Sequence, residues 1–133
     1  MDIRKYALID TAKLHIKDPN DNLLYADDAM EKPVVVHLYG PGSKQFAAAE
    51  ARNNRRIVES MTKRGKGNID QAELRIDFLV SITQSFENLE YDNLQGEELS
   101  RAVYSDKSLR WLADQVHDFV NEAGNFTKSS LKT

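Results

Sequence analysis

The run Pro33-Val34-Val35-Val36-His37-Leu38-Tyr39, followed at once by Gly40-Pro41-Gly42-Ser43, constrains this chain most, because the spacing of apolar residues changes across it. Before the junction the period is two. Ala12, Leu14 and Ile16 alternate with Lys13, His15 and Lys17, the pattern of a half-buried strand. Asp18-Pro19-Asn20-Asp21 has turn chemistry, with proline supplying the fixed φ of a turn's second position, and Asn22 to Tyr25 reads as a return strand. The β-branched run after Pro33 suits a third strand better than a helix. The expectation is an α+β fold, with a small N-terminal antiparallel hairpin extended to a three-stranded sheet and then three to four α-helices.

Beyond the junction the period is helical. Ser43 is placed to cap a helix running to Arg64, about 21 residues or roughly 30 Å long at 1.5 Å per residue, with Gly65 as its stop. Its apolar stripe is thin: Phe46, Ala49, Ile57 and Met61 lie near one face, interrupted by Asn53. A helix this polar rests a narrow edge on a core and offers the rest to solvent or a partner. After the hinge Gly65-Lys66-Gly67, Asn68 and Gln71 form a capping-box pattern. Ala72, Ile76, Leu79, Thr83, Phe86 and Leu89 then recur at helical spacing, predicting a core helix that exits at Asp92-Asn93 and Gly96. A short helix from Glu97 to Tyr104 follows. Ser105 or Asp106 caps a last one, whose wide apolar face is Leu109, Leu112, Val116, Phe119, Val120 and Ala123. Gly124 is read as its C′ residue, with Phe126 folding back on the last turn. Residues 1–126 are thus expected to form a single domain, with 127–133 a flexible tail.

Most site chemistry is excluded by spacing. A phosphate loop needs four residues between its glycines and Lys directly before the hydroxyl residue. Gly40-Pro41-Gly42-Ser43-Lys44 has one intervening residue, the reverse order, and a proline that removes an N–H from the cradle. Asp18, Asn20 and Asn22 imitate the start of a calcium loop, but Leu23 stands where glycine is needed and Ala29 where a bidentate Glu is needed. His15 and His37 share an outward strand face without a third ligand at a telling spacing. The sequence holds no cysteine, and His117 has no nucleophile or orienting acid identifiable by spacing. A non-enzymatic protein without cofactor or metal is expected. No apolar run approaches the roughly 20 residues of a bilayer span, and the apolar stretch Tyr6 to Ile9 is too short for a leader core.

Charge is distributed unevenly. The net charge of -3 divides into +5 between Ser43 and Gly67 and -8 elsewhere, with an acidic segment from Gln84 to Asp106. Opposed patches of this kind favour docking of one copy, or a partner, against another, so a homo-oligomer is expected. Arg52, Arg55, Arg56 and Lys63 recur at i, i+3, i+4 and i+11, as a phosphate-tracking stripe would. The stripe lacks interleaved aromatics for base stacking, and the sequence pI is about 5.6. A protein partner therefore ranks above nucleic acid, through Arg52, Arg55, Arg56, Ile57, Met61 and Lys63.

The succession KLHIKDP, PVVVHLYGPGSKQF with its Arg/Asn-rich helix, SFENLEY and DKSLRWLADQVHDFVNEAGNF resembles the tail assembly chaperones of long-tailed, lambda-like bacteriophages, over about residues 10 to 128. The resemblance implies a protein of the host cytoplasm, absent from the mature virion, that binds the tape measure protein and helps the tail tube assemble around it. It also implies a longer, frameshifted form that recruits the tail tube protein. The family pattern supplies no catalytic positions. The alternative expectation is a small nucleic-acid-binding or structural head-tail protein using the basic helix 43–64.

Overall fold

The computed structural model describes residues 1–62 and 70–127. Strand β1 (Thr11–His15) pairs antiparallel with β2 (Val35–Tyr39), with Leu14 opposite Val36 and Ala12 opposite Leu38. Ala12, Val36 and Leu38 are buried, so the alternation read from sequence is the real one.

The run after Pro33 forms β2 as expected, but the return strand expected over 22–25 does not form. Residues 22–25 make only isolated antiparallel bridges, Lys17 with Leu23 and Tyr25 with Pro33. The predicted turn is present: the Asp18 carboxylate accepts from the amides of Asn20 and Asn22 at 2.9 and 3.0 Å. Backbone bonds join Asp18 to Asn22 and Leu24 to Ile16, but the pairing does not grow into a strand: Pro33, opposite Tyr25, has no N–H to extend the ladder.

The other edge of β2 is covered instead by β3 (Thr83–Glu87), antiparallel, with Phe86 opposite Val36; the order is β1-β2-β3. Helix α2 (Gln71–Ile82) therefore ends before Thr83, where a longer helix was expected. Thr83, Phe86 and Leu89 fit helical spacing, but β2 has a second row of backbone groups that must be paired where the chain is buried, and that need decides. The Thr83 hydroxyl donates to the Leu79 carbonyl at 2.7 Å, closing the helix end, and shares a hydrogen bond of 2.8 Å with the Tyr104 hydroxyl. Burial raises that phenol above its ordinary range, and the Thr83 contact offsets part of the rise.

The junction folds as predicted at Ser43. Its hydroxyl accepts from the Phe46 amide at 3.1 Å and donates to the Gly40 carbonyl at 2.8 Å, opening α1 (Lys44–Thr62). The predicted stop at Gly65, the 65–67 hinge, Lys63 and the Asn68 cap lie outside the described residues. The cap seen for α2 is Asp70, accepting from the amides of Ala72 and Glu73. After β3, Asp92, Asn93 and Gly96 take left-handed φ values of 49°, 59° and 60°, matching the predicted exit turn. Helix α3 (Gly96–Ser105) follows. Asp106 accepts from the Ser108 amide at 2.9 Å, and a 3₁₀ turn leads into α4 (Arg110–Val120).

Helix α4 stops at Val120, before Ala123, and Gly124 lies within a 3₁₀ turn, Ala123–Phe126, rather than at C′. Phe126 is fully buried and its ring meets Phe119 with centroids 5.6 Å apart, so the fold-back survives the change of helix end. Sheet and helices share one apolar cluster that includes Ile16, Val36, Leu38, Leu79, Ile82, Val103, Val116, Val120 and Phe126.

Candidate interaction surface on helix α1

Each chemical site weighed from sequence has a structural occupant. A Cβ added to Gly40 would lie 2.2 Å from Cδ1 of Phe126, and one on Gly42 would lie 3.1 Å from Leu8. The glycines of the junction thus admit neighbouring side chains to the backbone. His15 Nε2 lies 2.8 Å from the Leu24 carbonyl, whereas His37 Nε2 lies 3.2 Å from a Glu87 carboxylate oxygen, so the two rings serve different neighbours. Among the described residues no group of three His, Cys, Asp or Glu is arranged to hold a metal, and no described helix is long and apolar enough to cross a membrane.

Helix α1 carries the predicted contact residues, and the structure divides them. Arg52 donates from Nη1 to Ser81 Oγ at 2.8 Å, and Ser81 Oγ in turn donates to the Asp77 carbonyl. Arg56 forms an ion pair with Asp77 and lies 3.8 Å from Glu73. Asp77 also receives Arg101 of α3 at 2.7 Å. Burial raises the Asp77 pKa, but the hydrogen bonds and charges of Arg101 and Arg56 together outweigh it, so the carboxyl titrates below its ordinary range. This cluster ties α1, α2 and α3 together through side-chain charge at a place where apolar contact is sparse: α1 buries only Phe46 and Ala49.

Arg55 is exposed, Ile57 is half-buried, and Met61 is 73% exposed. Met61 was grouped with the core-facing residues, but at 100° per residue it lies roughly 100° from the stripe that packs on α2. That inner stripe is Phe46, Ala49, Asn53, Arg56 and Ser60, the less exposed residues of the helix together with Ile57. The five described contact candidates therefore do not form one open face: Arg52 and Arg56 are hydrogen-bonded to α2, and Arg55 and Met61 face solvent.

The open face has members that the basic stripe concealed. Ala47, Ala51, Asn54, Val58 and Met61 are all exposed, Val58 at 59%. Their spacing of four, three, four and three is visible in the sequence, and is the signal that could have found them. No protein-family model, curated protein sequence or solved structure matches the chain.

Proposed function

We propose that this chain is a tail assembly chaperone of a long-tailed bacteriophage, a non-enzymatic protein that binds the helical tape measure protein through the outer face of α1 and promotes tail tube assembly around it. The observation that carries the reading is the open α1 face, where Val58 and Met61 project from a long helix with Arg55 alongside. An apolar stripe of this width can accept another amphipathic helix. The likeness of segments such as PVVVHLYGPGSKQF and DKSLRWLADQVHDFV to such chaperones supplies the partner. Action in the host cytoplasm, absence from the finished virion and a longer form that engages the tail tube protein belong to the same proposal. The alternative use of α1, on nucleic acid, calls on Arg52, Arg55 and Arg56, of which two already serve α2.

Co-expression with a candidate tape measure protein, a long helical product of the same gene cluster, tests the proposal. The tape measure protein is expected to stay soluble and co-purify with the wild type, and to be lost with the Val58→Glu, Met61→Glu double variant. A tape measure protein that stays insoluble and never co-purifies contradicts it.

A further inference from the structure

Helix α1 has two seams. Phe46, Ala49, Asn53, Arg56 and Ser60 form the inner one, against α2. Ala47, Ala51, Asn54, Val58 and Met61 form the outer one, roughly 140° away at 100° per residue. Both repeat at alternating spacings of three and four, the spacing at which a helix keeps one face toward a neighbouring helix along its length. The inner seam has its neighbour in the chain. We infer that the outer seam pairs with the same seam of a second copy, the two α1 helices lying parallel across a two-fold axis.

Charge selects the occupant and its direction. Glu50 lies on one flank of the outer seam and Arg55 on the other, five residues later. A parallel pair sets one helix's Glu50 beside Arg55 of the second copy, and the two-fold axis repeats the contact, the spacing of the flanking salt bridges in parallel two-stranded coiled coils. An antiparallel pair instead turns each flank toward itself, bringing Arg55 toward Arg55. Both side chains are exposed, and among the described residues neither has an ion-pair partner within the chain. Asn54, at the middle of the seam, meets its own copy in the parallel register, where the two amides are placed to hydrogen-bond to each other. Val58, β-branched, stands at a position that favours two strands.

The inference uses the face invoked above for the tape measure protein, so a second copy and that partner compete for it; it does not need that partner, and its test uses the chain alone. Light scattering on the wild type is expected to show a mass rising with concentration from 15.1 kDa toward twice that value. Glu50→Lys and Arg55→Glu each replace two attractive contacts by repulsive ones, and each is expected to weaken self-association roughly tenfold. Mixing the two variants restores both contacts, so the mixture should associate about as tightly as the wild type. The sequence has no cysteine, so a single Met61→Cys introduces the only thiol. In the parallel seam it meets itself and should oxidise to a dimer far faster than Glu59→Cys, which lies off the seam. All four positions are exposed, and circular dichroism checks that each variant folds. A wild type that stays monomeric at every concentration overturns the inference. So does a dimer that the charge mixture fails to restore, or one that Met61→Cys cross-links no faster than Glu59→Cys.

Discussion

Helices α1 and α4 hold their places in the molecule by different means. The 11 residues of α4 bury Leu112, Ala113, Val116 and Val120, whereas the 19 residues of α1 bury Phe46 and Ala49 alone. Fully burying a leucine or valine is worth about 1.5–3 kcal/mol, so α4 is secured by area. Helix α1 is secured by its Ser43 cap and by the Arg52, Arg56, Asp77 and Arg101 cluster, whose contacts each contribute less and whose shared Asp77 carboxylate is lost in acid. A helix held along one narrow polar edge keeps most of its circumference free. That is the arrangement a binding helix needs, and α4 could not provide it.

Leu112→Ala should break the comparison on the α4 side most severely, costing about 2–5 kcal/mol in denaturant unfolding because Leu112 is 3% exposed and its cavity can collapse only in part. Asp77→Ala should cost about 1–2 kcal/mol in the same assay, removing the acceptor that Arg56 and Arg101 share. The pH dependence sharpens this. A carboxyl whose folded pKa is depressed adds stability above the unfolded carboxylate pKa of about 3.9, and loses it as pH falls through the lower folded value. Acid titration of unfolding should therefore be steeper for the wild type than for Asp77→Asn below about pH 5. The smallest effects belong to the open side: at concentrations where the chain is monomeric, Met61→Ala and Lys44→Ala should each change stability by less than about 0.5 kcal/mol, since both side chains are exposed. A loss of several kcal/mol at Met61 would mean that the outer face supports the fold after all.

What was legible in the sequence was local. Ser43 as cap, the β-branched run of β2, the turn at Asp18 and the left-handed turn before α3 are each fixed by residues within a few positions, and each appears in the structure. The misses were decided at a distance. Thr83 to Glu87 becomes a strand because β2, almost 50 residues earlier, has an unpaired edge, and no periodicity within 83–87 carries that information. Arg52 and Arg56 turn inward because Ser81 and Asp77 stand at the matching spacing on α2. The i, i+4 pairs on successive helices were available to read, but the cations alone resembled a phosphate stripe. Reading charge first also hid the small and apolar residues 47, 51 and 58, which define the open face.

Hydrogen–deuterium exchange of the chain, free at a concentration where it is monomeric and bound to the proposed tape measure partner, tests the central claim most directly. Protection on binding should concentrate in peptides covering residues 47–61 of α1, with β1, β2 and α4 unchanged. Protection confined to the groove between β1 and α4, near Leu14, Trp111 and Phe119, with α1 unaffected, would contradict it.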